Sequence, residues 1–160
     1  MGLGYPGGPI VEKRAAQVSQ DLVNFPRPML HNKTMQMSFS GLKTAVVNEW
    51  NKHAHTTDEI CKSLMHAIRD VLLKKLSIAF EEYDYKHLVV AGGVAANLFL
   101  RSAFSELAQQ NGAQLICPDI KLCTDNGAMI AFLGYRLYHM KKGLDFPFVN
   151  PSWSLKEFIR

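Results

Sequence analysis

Two short apolar runs, each followed by a helical pattern, constrain the fold of this chain more than any other feature. The first run, residues 87–91, ends in Gly92-Gly93 and leads into apolar residues at helical spacing that stop near Gly112. The second run, residues 114–117, leads through a loop into a helical pattern over about 125–142. Strands that alternate with helices pair in parallel through right-handed crossovers, so the sequence predicts an α/β fold with buried strands.

The preceding half of the chain predicts further elements around this sheet. A glycine-rich start opens a helix near Pro9, residues 24–39 favour a hairpin, and Ser40 is placed to cap a helix that ends at Asn51. From Thr57 onwards, apolar residues follow one face of a long helix, which predicts a core helix. Because a hairpin adds antiparallel pairing, we expect a mixed sheet flanked by helices.

Composition and charge exclude several classes of protein. The 160 residues, 48% hydrophobic and 20% charged, are typical of one globular domain and not of a disordered, collagen-like or coiled-coil chain. A formal charge of +4 suits an anionic partner such as a nucleotide or RNA. The basic pairs Lys74-Lys75 and Lys141-Lys142 are interpreted as solvated stretches of helix.

Cysteine usage and hydropathy indicate a cytoplasmic protein. The three cysteines form no CxxC pair, which favours reduced thiols that fill the core. No stretch is apolar enough for a signal peptide or a membrane span, so the sequence predicts no membrane partner.

Three helix starts are the candidates for chemistry. The segment Gly4–Pro9 precedes a helix whose free N–H groups suit an anion, although such clusters are often only turns. Gly92-Gly93 lie at the carboxyl end of a strand, where open α/β sheets bind ligands. Asn97 follows them and can either hydrogen-bond a ribose or base or cap its helix. Asp125 opens the last helix, as an N-cap or as a ligand for a divalent metal.

Other kinds of site find no support in the sequence. The segment Val90–Asn97 fits neither the GxGxxG nor the GxxxxGK[ST] pattern, which argues against a Rossmann or Walker nucleotide site at this strand end. Its six histidines form no HxxxH or HExxH pair, so a self-contained zinc site is not expected. No GxSxG segment is present for a serine nucleophile.

Five segments, taken in order, resemble the TsaD family of tRNA threonylcarbamoyladenosine synthesis proteins, formerly called O-sialoglycoprotein endopeptidases or glycoproteases. The resemblance covers nearly the whole chain but only the C-terminal half of the family. The segments are Gly4–Pro9, Phe25–Met29, Ser38–Thr44, Ala91–Asn97 and Cys123–Ala131.

The resemblance implies an actin-like ATPase fold of the ASKHA, ribonuclease H-like class, in which two similar α/β lobes hold a ligand between them. Residues 1–160 correspond to the second, C-terminal lobe, and the first lobe is absent. The implied enzyme moves a threonylcarbamoyl group from threonylcarbamoyl-adenylate to N6 of the adenosine next to the anticodon of ANN-decoding tRNAs. The implied partners are the missing N-terminal lobe, TsaB-like and TsaE-like subunits and tRNA, in a bacterial cytoplasm or an organelle.

Site residues follow from the resemblance position by position. Gly8 matches a glycine that contacts the nucleotide, Glu12 an acidic residue near the ribose, and Asn97 an asparagine at the nucleotide. Asp125 matches a carboxylate ligand of a divalent metal, iron or zinc. The family's HxxxH pair, SGGHT segment and first-lobe Asp loop have no counterpart. We therefore expect the isolated chain to lack transferase activity and to bind iron or zinc weakly, with an adenine nucleotide or threonylcarbamoyl-adenylate as its ligand.

Two alternative functions remain at this point. In one, the chain is an inactive standalone lobe that serves as a dimerisation module for TsaB-like partners. In the other, it is a metalloprotease, which the missing zinc-ligand pair argues against.

Overall fold

The chain divides into two compact units, Met1–Thr124 and Asp125–Arg160, in a computed structural model that describes residues 1–140. In the first unit the elements run α1 (Gly7–Ala15), α2 (Ser40–Asn51), α3 (Thr57–Glu82), β1 (His87–Val89), α4 (Leu98–Gln110) and β2 (Gln114–Ile116). Short 3₁₀ helices cover Gly93–Ala96 and Ile120–Leu122, and α5 (Gly127–His139) belongs to the second unit. Within residues 1–140, no helix has the length and apolar character needed to cross a membrane.

The predicted strand–helix–strand unit is confirmed. Strands β1 and β2 pair in parallel, with Leu88 opposite Leu115 at the centre of the register, and α4 connects them. Leu88 and Leu115 pack against the core, whereas Val89 is 67% exposed. The expectation of buried strands is therefore wrong for one face in the first unit, because successive side chains of a strand point to opposite faces and the described helices of this unit cover only one of them.

Helix α3 is the centre of the first unit, as its sequence pattern predicts. Ile60 and Ala67 join a cluster with segment 23–25 and α2, while Cys61 and Met65 join a second cluster with α1 and α4. The helix begins with a capping box, in which the Thr56 side chain accepts from the Glu59 N–H and the Glu59 carboxylate accepts from the Thr56 N–H. One helix thus links two hydrophobic clusters.

The predicted hairpin over residues 24–39 is wrong, since these residues form no strand. Pro26 and Pro28 have no N–H to donate to a strand ladder, and the segment is attached by other contacts. Phe25 is buried, and Arg27 donates from Nε to the Asp70 carboxylate at 2.9 Å. Without the hairpin, the sheet of the described residues contains parallel strands alone, so the mixed sheet is not formed there.

The Arg27 contact also sets the protonation of Asp70. Partial burial by itself would raise the pKa of this carboxyl, but hydrogen bonds from Arg69 and Arg27 outweigh burial and hold the pKa below its usual value. The segment 25–29 is therefore tied to α3 by an ionised carboxylate.

Two smaller predictions are corrected. Lys75 is buried, not solvated, because its ammonium donates to the Asn32 side chain and to the backbone carbonyls of Asn32 and Thr34. Ser40 is the first residue of α2 and no side chain caps that helix. The pair Lys141-Lys142 and the predicted end of the last helix at residue 142 lie outside the described residues.

The three cysteines are unpaired, as the sequence predicts, but Cys117 is only half-buried and does not fill the core. Cys61 and Cys123 are buried, and burial followed by the nearby Asp58 carboxylate raises the pKa of Cys61. Cys61 is therefore an inert part of the core.

Candidate functional site

The N-terminus of α4 is the best-defined polar feature at the carboxyl ends of the two strands. Gly92 has a φ of 86°, a conformation that favours glycine, and it turns the chain from β1 into the 3₁₀ helix. Asn97 then caps α4, because its Oδ1 accepts from the Leu100 N–H at 2.9 Å. Of the two roles left open for Asn97, capping is the one the structure shows.

Glu12 of α1 reaches the same helix start. Its Oε1 accepts from the Leu98 N–H at 2.7 Å and from the Phe99 N–H at 3.1 Å. Together, Glu12 and Asn97 satisfy the first three amide groups of α4, which otherwise lack partners in a helix. A carboxylate at this position also interacts favourably with the positive end of the helix dipole. The structure therefore brings together two residues that are 85 positions apart in the sequence.

The capping arrangement leaves one donor available. The Nδ2 amide of Asn97 has no acceptor among residues 1–140, whereas its oxygen is engaged by the helix. An amide nitrogen can donate two hydrogen bonds. A ligand with hydroxyl or ring-nitrogen acceptors suits this position.

Gly8 lies one helical turn before Glu12 on α1, so the two share a face. A Cβ built on Gly8 would meet no atom within 4 Å, and the residue is exposed. Packing within the described residues thus does not require glycine here. What glycine provides instead is open access to the backbone of the first turn of α1.

A cavity of about 170 Å³ borders this region and is lined by Glu12, Lys62, Met65 and Phe99 among others. Sites for small molecules and cofactors typically measure roughly 300–1,000 Å³. A larger groove of about 640 Å³ runs between α3 and α4, but none of the four predicted site residues lines it. The cavity beside Glu12 is therefore smaller than a typical site for a small molecule.

Arg101 is a residue that the sequence analysis missed. It lies one turn after Asn97 on α4 and donates from Nε to the Ala95 carbonyl. Its Nη2 donates to the Pro118 carbonyl at 2.6 Å and to the Cys123 sulfur at 3.1 Å. Its spacing of four residues from Asn97 was the available signal, because such residues share a helix face.

Asp125 belongs to the second unit, where it is exposed. The N-cap of α5 is Asn126, whose Oδ1 accepts from the Met129 N–H at 3.0 Å, so the N-cap role for Asp125 is wrong. Among residues 1–140, no three His, Cys, Asp or Glu side chains come together as a metal site. The part of the chain that the structure describes thus offers Asp125 as a single carboxylate without a ligand set.

Comparison with known proteins bears directly on these residues. A family model described as TsaD, tRNA N6-adenosine threonylcarbamoyltransferase, matches residues 1–132. The chain belongs to the TsaD family. The matched range includes all four predicted site residues and Arg101.

Relatives in the TsaD family are named tRNA N6-adenosine threonylcarbamoyltransferase. One from Persephonella marina is 43% identical over 141 residues, which cover 86% of this chain and 41% of the relative. A relative from Thermosipho africanus is 42% identical, and the match covers 90% of this chain and 44% of the relative. A relative from Burkholderia multivorans is also 42% identical, and the match covers 100% of this chain and 50% of the relative. The chain spans about half the length of the curated relatives it matches. Their shared name supports neither the metalloprotease nor the inactive-module alternative.

Proposed function

We propose that this chain supplies the second, C-terminal lobe of an actin-like ATPase fold in a tRNA N6-adenosine threonylcarbamoyltransferase. The enzyme would transfer a threonylcarbamoyl group from threonylcarbamoyl-adenylate to N6 of the adenosine next to the anticodon of ANN-decoding tRNAs. The match of the TsaD family model over residues 1–132 carries this proposal. The parallel strands with a glycine turn and a capped helix at their carboxyl ends support it, because open α/β sheets bind ligands at that edge.

In this proposal the residues at the α4 start bind the adenylate. The Asn97 Nδ2 donates to the ribose or base, and Gly8 lets the ligand approach the backbone of α1. Glu12 can serve the ribose only through Oε2, because Oε1 is bound to two α4 amides. Its main contribution is thus to fix the helix that carries Asn97.

Asp125 would supply one oxygen ligand to an iron or zinc ion. The residues that the structure describes do not complete such a site, since no cluster of three candidate ligands exists among them. The further ligands would have to come from outside residues 1–140.

The proposed partners are an N-terminal lobe, TsaB-like and TsaE-like subunits and tRNA, in the cytoplasm. The chain's formal charge of +4 is favourable for binding the anionic tRNA and adenylate.

A chimera tests this function. This chain would replace the matching region of the Persephonella marina relative and be assayed with that organism's TsaB-like and TsaE-like subunits, threonylcarbamoyl-adenylate and an ANN-decoding tRNA. We expect N6-threonylcarbamoyladenosine in the digested tRNA by mass spectrometry, and none from this chain alone. The matched control is the chimera with Asn97→Ala, which should lose most of the activity.

Two results would contradict the proposal. A folded chimera that modifies no tRNA, while the parent relative is active, would show that this chain cannot supply the lobe. Modification by this chain alone would show that a second lobe is not needed.

A further inference from the structure

We propose that Arg101 is a positioning residue that clamps together the two loops following β1 and β2. The inference rests on the proposed function, because it assigns to Arg101 the task of holding the nucleotide-binding edge of the sheet in place. Its evidence is a set of three contacts from one guanidinium group. These contacts reach the 3₁₀ helix before Asn97 and both ends of the loop 118–123.

The two 3₁₀ helices contact each other, but few hydrogen bonds other than those of Arg101 join the two loops. Each follows a strand of only three residues, and the sheet of the described residues contains only these two strands. The last backbone hydrogen bond before the loops begin runs from the Val90 N–H to the Ile116 carbonyl at 3.0 Å. Beyond this point, Arg101 joins the Ala95 carbonyl to the Pro118 carbonyl through a single side chain. Such a link fixes the loop that precedes Asn97 relative to the loop that precedes Thr124.

The chemistry of the contact requires arginine. The Ala95 carbonyl binds Nε, while Pro118 and Cys123 use the two hydrogens of Nη2, so donors on two different nitrogen atoms are engaged. A lysine ammonium has one nitrogen and cannot bridge these acceptors in the same geometry. No carboxylate among residues 1–140 forms an ion pair with Arg101. Its hydrogen bonds go to two backbone carbonyls and a thiol. Its positive charge therefore remains uncompensated by a carboxylate at this edge, which favours an anionic ligand.

Hydrogen–deuterium exchange on this chain tests the clamp without any ligand. In Arg101→Met, we expect peptides covering residues 93–97 and 118–123 to exchange at least about tenfold faster than in the original chain, since hydrogen bonds from a charged donor are lost. Arg101→Lys should recover part of this protection. The matched control is Arg14→Met, which removes an arginine whose ion pair with Asp58 is partly exposed and should leave both peptides unchanged.

Nucleotide affinity tests the positioning role. In the Persephonella chimera, we expect Arg101→Met to raise the Kd for ADP about tenfold at a temperature well below the Tm of the variant. A structural role alone would lower the Tm and leave the Kd unchanged. Exchange of both peptides at the original rate, or an unchanged Kd in a variant of lower Tm, would overturn the inference.

The failure of the proposed function has a different signature. If the original chimera binds no ADP, the nucleotide site itself is contradicted, and the exchange experiment alone then decides whether Arg101 joins the loops. If Arg101→Met does not fold, Arg101→Lys replaces it in both measurements, and full protection with an unchanged Kd in that variant would also overturn the inference.

Discussion

Helices α4 and α5 begin in the same way and end up in different surroundings. Each has 13 residues and starts after an asparagine whose side-chain oxygen accepts from a backbone N–H three residues on. Helix α4 buries Leu100, Phe104 and Ala108, whereas α5 buries none of its residues and leaves Phe132 64% exposed. The same local start is therefore found both on a helix with buried residues and on a helix with none among the described residues.

The start of α4 also receives support from distant parts of the chain. Glu12 accepts from its first two amides, and Arg101 links its second turn to the loop after β2. Long-range contacts therefore add to the local cap at the start of α4. In α4 the cap is part of a network that spans α1, both strand ends and the core.

The largest expected effect sharpens the contrast in burial. Phe104→Ala removes a core side chain that is 4% exposed and should lower the free energy of unfolding by about 3–5 kcal/mol. Phe132→Ala is the matched control in α5 and should change it by less than about 0.5 kcal/mol. Urea denaturation followed by circular dichroism measures both. Equal losses in the two variants would mean that α5 is as well packed as α4.

The next effect concerns the carboxylate from α1. Glu12→Ala removes an ionised acceptor from two amides and should lower the free energy of unfolding by about 1.5–3 kcal/mol. Glu12→Gln keeps one acceptor oxygen, so we expect it to lower the free energy of unfolding by less than half as much as Glu12→Ala. The control for the loss of charge is Glu106→Ala, which removes an exposed carboxylate on α4 that accepts a surface hydrogen bond from Ser102. A Glu12→Ala variant as stable as the original chain in urea denaturation would show that the two contacts contribute nothing.

The smallest effect compares the two caps directly. Asn97→Ala and Asn126→Ala should each lower the free energy of unfolding by about 1 kcal/mol, because each helix loses one cap bond. In the chimera, we expect only Asn97→Ala to weaken ADP binding, measured by isothermal titration calorimetry. Similar losses of ADP affinity in both variants would contradict the assignment of Asn97 to the nucleotide.

Much of the fold could be predicted from the sequence because the relevant signals are local. The start of α3 at Thr57, the parallel strands and the glycine turn at Gly92 follow from periodicity, capping and backbone preference. The hairpin over 24–39 was predicted from alternation, but Pro26 and Pro28 cannot donate to a ladder and core contacts of Phe25 decide the conformation. Tertiary contacts override alternation in such a short segment.

The candidate site likewise contains residues that local patterns predict and contacts that only long-range packing creates. The segment Gly4–Pro9, Asn97 and Asp125 stand out because they follow strands or open helices, and the family resemblance selects Gly8 within that segment and adds Glu12. That Glu12 binds the α4 amides has no local signal, since 85 positions separate it from Asn97. Arg101 was missed for a related reason, because its partners Pro118 and Cys123 lie 17 and 22 positions away.

By itself, the sequence determined the α/β class, the family and the positions of the helices, because periodicity, caps and glycine turns act within a few residues. Only the tertiary structure decided that Lys75 is buried, that Glu12 caps a helix other than its own and that Arg101 joins two loops. The sequence alone does not show whether a charged side chain will be solvated or will bind a group inside the protein. Whether water or a buried backbone group binds it depends on what the folded chain brings within about 3 Å of its polar atoms.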